Sequence, residues 1–375
     1  MKILRFEVSG LQGKDVIQAE QLHSDLNILT GRNGAGKTSL MKLMWYIISG
    51  NILLAINEVN FKRVVLETDL YEITVHRISK NTCKIELVQD GNKTFYEDIH
   101  HEEEGFFTNA EDEPNEILRA IGSSVFLPTF RRIEGGFSLN GPNYSQNKLA
   151  RAARGEVEDA LATLSKKLSN GPHVFVSSIS TVDVAGLLLR KHSELTDQFA
   201  LKQQSTSQEI ISAIKNFKSD QNETSAPVDA NAILDGIREK VEGMDQFREQ
   251  VMLPVEAVRE LVMKLFKHSG IKIGRLDFGE AVNAVNSDSL SAGEKQMLSF
   301  ICYNAFYKDS VFFIDEPELS LHVDWQRQLF PILQAQQTSN QFIIATHSPF
   351  IYSKYPDKEI IVKSDRGDSE IGVQE

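Results

Sequence analysis

The stretch "GRNGAGKTS", residues 31–39, decides how this chain is read. Gly31, Gly36, Lys37 and Thr38 fill the pattern G-x-x-x-x-G-K-[ST]. The apolar run "LNILT" precedes it and predicts a strand; "TSLMKLMWYII" follows with the apolar density of a buried helix. A strand, a glycine loop and a helix in that order turn backbone N–H groups toward an anion, aided by the positive end of the helix. Arg32, Asn33, Gly34, Ala35 and Gly36 would form the cradle, with Lys37 reaching the β- and γ-phosphates of ATP. The Thr38 hydroxyl would hold Mg²⁺, and Ser39 stands beside it. A plain glycine-rich turn is the alternative, and the flanking strand and helix argue against it.

The chain of 375 residues can hold two ordinary domains or one with a large insertion. Apolar residues at 41% and charged residues at 25% give the balance of a globular protein. A net charge of −12 excludes a surface coated uniformly for nucleic acid, though not a local basic patch. Cys83 and Cys302 make neither a disulfide framework nor a metal-ligand spacing, which suits a reducing cytoplasm. "MKILRFEVSG" lacks the apolar core of a signal peptide. The longest apolar stretch is interrupted by Lys42, Ser49, Gly50 and Asn51, so no membrane span is expected.

Outward from the loop, "KILRFEV", "DVIQAEQL", "KRVVLET", "YEITVHRI" and "CKIELVQ" read as strands, and "DGN" at 90–92 as a tight hairpin turn before "KTFYE". "HHEEEG" at 100–105 reads as a solvated acidic loop, because neighbours on a strand face opposite ways. The middle changes character. "NKLARAARGEVEDALATLSKKL" carries a helical apolar stripe, and "ILDGIREKVEGMDQFREQV" a 3-4 repeat too short for a coiled coil, which Pro254 is expected to end. "FKSDQNETSAPVDAN" lies between them as a loop. Strands return with "IKIGRLDF", "VFFIDEP" and "QFIIATHSP". The expected organisation is an α/β domain split by a compact helical insertion: an N-terminal lobe at 1–140, the insertion at 141–270 and a C-terminal lobe at 271–375.

Two further strand ends carry chemistry. "VFFIDEP", 311–317, ends an apolar run in two acids, at the edge where parallel sheets bind ligands. Asp315 would complete the Mg²⁺ shell and Glu316 would act as general base toward water. "QFIIATHSP" places His347 where it can bond a γ-phosphate. A lone strand-end acid pair or histidine is ordinarily structural; their order after the glycine loop gives them weight. "LSAGEKQ", 290–296, opens another helix. Ser291 and Glu294 satisfy a capping box, but that leaves Gly293 unexplained in a first turn where glycine costs helix stability. A glycine there permits close backbone approach, and a helix N-terminus favours an anion. The intrachain loop already serves one nucleotide, so the second start would face a partner's phosphate.

Loop, "LSAGEKQ", "FFIDEPELSLH" and "ATHSP", in that order, resemble an ABC-type P-loop ATPase head of the SMC, RecF and OLD branch, over about residues 1–140 and 271–375. The resemblance implies an α/β fold with a mixed sheet, N-terminal antiparallel strands and a helical insertion. It also implies a homodimer, or a higher homo-oligomer, that sandwiches ATP between one subunit's loop and the other's Ser291, Gly293 and Glu294. Ala292 departs from the family's first glycine, and His322 stands where transporter ATPases carry Asp. The family's Mg²⁺-touching glutamine is missing. Its expected place holds "FLPTFRRIEGG", with Thr129, Arg131 and Arg132 as candidates for nucleotide or DNA phosphate contact. The biological role expected from the resemblance is the ATPase of an anti-phage defence system similar to the Septu and PARIS ATPases. With 28 residues after His347, a fused Toprim nuclease is not expected, so a Toprim- or HNH-type nuclease would be a separate partner. The alternative is a RecF- or SMC-like DNA-repair ATPase with nucleic acid as partner, against which the acidic charge counts.

Overall fold

A computed structural model describes residues 1–14, 16–101, 106–129, 160–161, 163–177, 181–219, 228–268 and 291–362. The expected strand "IKIGRLDF", the Arg131–Arg132 pair and most of the helical stripe at 147–168 fall outside those residues. The chain divides into two compact units, residues 1–179 with 307–375, and residues 180–306.

In the first unit the described strands form one parallel and one antiparallel six-stranded sheet, and β8 (Ile99–His101) pairs with β9 (Phe106–Thr108) in a separate two-stranded one. The antiparallel one takes β1 (Ile3–Ser9), β2 (Ile17–Gln21), β4 (Arg63–Thr68), β5 (Glu72–Arg77), β6 (Cys83–Gln89) and β7 (Asn92–Glu97), in the order β2-β1-β4-β5-β6-β7. The hairpin expected at "DGN" is present: Asp90 and Gly91 both take positive φ, 51° and 78°, as a two-residue turn matched to strand twist requires. The second sheet uses β3 (Leu26–Thr30), β10 (Ser124–Leu127), β11 (His173–Phe175), β12 (Val311–Asp315), β13 (Gln341–Ala345) and β14 (Glu359–Ile361). Its order is β11-β10-β12-β13-β3-β14, and every pairing is parallel. β3, β12 and β13 are buried at every position, the pattern of strands covered on both faces.

The glycine loop leads into α1 (Lys37–Ile48), whose sequence is apolar nearly all round and which is buried accordingly. One apolar cluster joins Phe6, Val8, Val64, Leu66, Ile73 and Ile85 of the antiparallel sheet to α1 and to Phe126, Phe313 and Ile343 of the parallel sheet. Trp45 centres it, with ring centroids 5.4 Å from both Phe126 and Phe175. α1 is thereby fixed against the sheet, and the loop at its start with it.

β11 lies inside the segment assigned to the insertion, and it carries a fully buried histidine. Nδ1 of His173 pairs with the Ser124 hydroxyl at 2.8 Å, and Nε2 lies 3.3 Å from the Leu118 carbonyl. Both contacts are satisfied by a neutral ring that accepts at Nδ1 and donates at Nε2. Burial lowers the His173 pKa from 6.5 to about 4, outweighing the opposing carbonyl contacts. The native state therefore binds fewer protons than the unfolded chain between these values, and stability falls as pH drops from 6.5 toward 4. At pH 4.5 the expected loss is about 2–3 kcal/mol. Urea denaturation at pH 7.5 and 4.5 should show this increment in the native chain and not in His173→Gln.

The second unit corrects the expectation of a compact insertion that Pro254 terminates. It contains α4 (Thr181–Ser219) and α5 (Val228–His268), helices of 39 and 41 residues. At 1.5 Å per residue each is about 60 Å long. Lys240 pairs with Glu209 at 2.6 Å, and the Arg248 guanidinium lies 5.8 Å from the Phe199 ring, so the helices run antiparallel. Pro254 lies within α5. It removes one N–H from the ladder, a local cost that a 41-residue helix packed along a partner absorbs. α6 (Ala292–Phe306) packs against both.

Candidate functional site

The parallel sheet brings the expected residues together by strand order alone. β10, β12, β13 and β3 are neighbours, and all point the same way. Their carboxyl ends deliver, in turn, Thr129, Asp315 with Glu316, His347, and the glycine loop with Lys37 and Thr38.

The loop has the backbone an anion cradle needs. Gly31, Gly34 and Gly36 take φ of 144°, 77° and 101°. At Gly36 a Cβ would also stand 3.2 Å from the Gln12 side chain. Gly36 N-caps α1, and no side chain caps that helix, so an anion has its first turn to itself. Arg32, Asn33 and Gly34 are exposed, whereas Ala35, Gly36 and Lys37 are buried. Ser39 lies 3.5 Å from the Gln12 amide.

The Lys37 ammonium donates to the Gly31 carbonyl at 3.2 Å and lies 2.6 Å from Nε2 of His347. Burial lowers the Lys37 pKa, and the charges of Glu316, Asp315 and Glu318 oppose that shift. Burial, and next the Lys37 charge, also lower the pKa of His347. A neutral imidazole accepting the Lys37 proton fits both. Nε2 of His347 is also 3.4 Å from Glu316 Oε1, a contact that is not an ion pair while the ring is neutral.

Thr38 donates to Asp315, its Oγ1 lying 3.0 Å from each carboxylate oxygen. Glu316 follows Asp315 in a left-handed conformation, φ 49°, while its N–H still bonds the Ala345 carbonyl at 2.8 Å. A non-glycine residue held there costs about 1–2 kcal/mol. The turn of the backbone explains how two consecutive acids, which a regular strand would send to opposite faces, both attend the loop. Burial is the main cause that pushes Glu316 up to about 8, followed by the neighbouring Glu318 carboxyl, with Lys37 opposing.

Glu318 is the residue that the sequence did not single out. Its Oε1 accepts the His347 N–H at 2.7 Å, and its other oxygen is buried without a hydrogen-bond partner. The third acid of "DEPE" was its available signal. His322 caps α7 (Val323–Ala335), accepting the Asp324 N–H at 3.4 Å. Ser291 and Glu294 form the reciprocal cap expected of them. Glu294 accepts from the Ser291 N–H and hydroxyl, each at 2.7 Å, and its own N–H reaches Ser291 Oγ at 3.4 Å. Ser291 is exposed and Gly293 buried. Both cysteines are buried, and burial above all pushes Cys83 up to about 12, away from nucleophilic chemistry.

Residues 1–352 match the family described as AAA ATPase domain. The chain belongs to that family. This AAA ATPase domain has the motif order of an SMC- or OLD-type ATPase head, and it is 25% identical over 154 residues to Endonuclease GajA of Bacillus cereus (strain VD045). That match takes in 40% of this chain and 26% of GajA, so it spans about a quarter of the relative's length. Among solved structures, an Smc head bound to the C-winged helix domain of ScpA is similar at TM-score 0.41, with 11% identity over 94% of this chain and 92% of that one. An Smc head with an extended coiled coil, bound to the C-terminal domain of ScpA from Pyrococcus furiosus, follows at TM-score 0.38, with 12% identity over 94% and 91%. No helix among the described residues is long and apolar enough to cross a membrane.

Proposed function

We propose that this AAA ATPase domain binds Mg²⁺·ATP at the loop of residues 31–39 and hydrolyses it. The observation that carries the reading is the convergence of four adjacent strand ends on one point, with Lys37, Thr38, Asp315, Glu316 and His347 in mutual reach. The donor set suits magnesium. A threonine hydroxyl and a carboxylate are hard oxygen ligands, and this ion completes its shell with water and substrate phosphates. Among the described residues no group of three or more His, Cys, Asp or Glu side chains is placed to hold a metal by itself. When bound, the ion would neutralise phosphate charge.

Lys37 would exchange His347 for a phosphate oxygen, releasing the imidazole toward the terminal phosphate. Glu316 in its ionised form would take the proton of the attacking water. Glu318, gripping the His347 backbone, would keep that side chain in register with the base. Glu318→Ala should therefore lower kcat by up to about 10²-fold while ATP affinity stays near the native value. Equal kcat in the variant would leave Glu318 without a part in turnover.

The same proposal includes an ATP-dependent homodimer. Ser291, Gly293 and Glu294 of one subunit would close the nucleotide site of the other, with the exposed Ser291 hydroxyl and the start of α6 meeting the terminal phosphate. The proposed role is control of a nuclease in anti-phage defence, and the name of the relative, an endonuclease, supports its nuclease part. The direct test is Mg²⁺-dependent release of phosphate from ATP by the purified chain. Release that persists in Lys37→Ala, or that is absent in the native chain under all conditions that allow dimerisation, contradicts the reading.

A further inference from the structure

Thr129 follows β10 at the edge of the parallel sheet where Asp315 ends β12. Its hydroxyl donates to Oδ2 of Asp315 at 2.6 Å. The hydroxyl is thus directed at the carboxylate that ends the neighbouring strand. The placement follows from the sheet. β10 and β12 run parallel with Leu127 opposite Ile314, so the residues just past each strand end are neighbours at the same edge. Pro128, between Leu127 and Thr129, has no N–H to extend the ladder and holds φ near −65°, which ends the strand before Thr129.

Two hydroxyls thus converge on one carboxylate. Thr38 spans both oxygens at 3.0 Å, and Thr129 holds Oδ2 at the shorter distance expected of a hydrogen bond to a charged acceptor. A carboxylate has about four lone-pair directions, so Oδ2 can be held without exhausting Asp315. Once Thr38 offers its oxygen to a cation, its proton still points to Asp315. Without Thr129 the carboxylate would be free to rotate about its terminal torsion and follow that proton.

We infer that Thr129 is a positioning residue for the metal, fixing Asp315 through Oδ2. The inference rests on the nucleotide reading above. Its chemistry is orientation of a carboxylate toward a divalent cation, with no covalent step. Outer partners of this kind typically tune metal affinity by about 10–100-fold.

The test uses the full chain with a non-hydrolysable ATP analogue and Mn²⁺ as a paramagnetic probe, free and bound Mn²⁺ being separated by electron paramagnetic resonance. T129V keeps the shape and removes the hydroxyl. It should weaken Mn²⁺ by about 10-fold or more, while its affinity for the analogue in EDTA stays native. T129S, which keeps the hydroxyl, should return Mn²⁺ affinity close to native. Far-UV circular dichroism checks folding, and T129A substitutes for T129V if the valine variant unfolds. Native Mn²⁺ affinity in the folded hydroxyl-free variant overturns the inference and leaves the nucleotide reading standing. A native chain that takes up the analogue in neither the presence nor the absence of Mn²⁺ overturns both.

Discussion

Glu316→Gln should cut ATP turnover by about 10²–10⁴-fold and leave the nucleotide bound. The substitution keeps the shape of the side chain and removes only its ability to accept a proton. Glu316 is held in a left-handed backbone conformation at the strand end, and its carboxyl lies 3.4 Å from His347 Nε2. That strain is retained at a point where three acidic side chains crowd one lysine, which is where stored backbone energy is most often tied to function. With hydrolysis blocked and the loop intact, the ATP-bound dimer should accumulate and elute at twice the monomer mass in size-exclusion chromatography with light scattering. Turnover at the native rate would mean that the base lies elsewhere.

Lys37→Ala should abolish useful nucleotide affinity. Two hydrogen bonds from an ammonium to phosphate oxygens are worth about 1.5–3 kcal/mol each, which corresponds to about 10²–10⁴-fold in Kd. The loss has a second source. Lys37 is 5% exposed and is the cation whose charge Glu316, Asp315 and Glu318 all feel. Removing it leaves the Asp315 and Glu318 carboxylates facing an anionic ligand. Fluorescent-nucleotide titration in EDTA isolates this term from the metal. Binding within threefold of native (about 0.6 kcal/mol) would show that Lys37 is structural.

The head was legible because its signals are local. "LNILTGRNGAGKTS" states a strand, a loop and a helix in consecutive residues, and "VFFID" and "QFIIA" are short apolar runs that only a doubly covered strand accommodates. Even the hairpin at Asp90 and Gly91 follows from two residues that tolerate positive φ. What the sequence hid was non-local. "HVF" at β11 is too short to distinguish from a loop, and only its pairing with β10 makes it a strand. The length of α4 and α5 was obscured because periodicity alone cannot show two imperfect helices supporting each other, and Pro254 reads as a stop when a neighbour's packing is not in view. Thr129 was legible only as a candidate phosphate contact, with nothing to point it at Asp315. Its role depends on strand order, which places β10 beside β12 although more than 180 residues separate Thr129 from Asp315. Glu318 was read as part of a family signature, but its grip on the His347 backbone depends on the β12–β13 pairing.

Closure of each nucleotide by a second copy of the chain is tested most directly by mixing two inactive variants. Lys37→Ala lacks a working loop but keeps Ser291; Ser291→Arg obstructs the closing face but keeps the loop. Each alone should release almost no phosphate from ATP. Mixed in equal amounts, they form dimers in which one loop and one serine meet in a single intact site, and phosphate release should return. If the mixture stays as inactive as its parts while mass spectrometry of the intact complexes shows that mixed dimers have formed, the site is not shared between subunits.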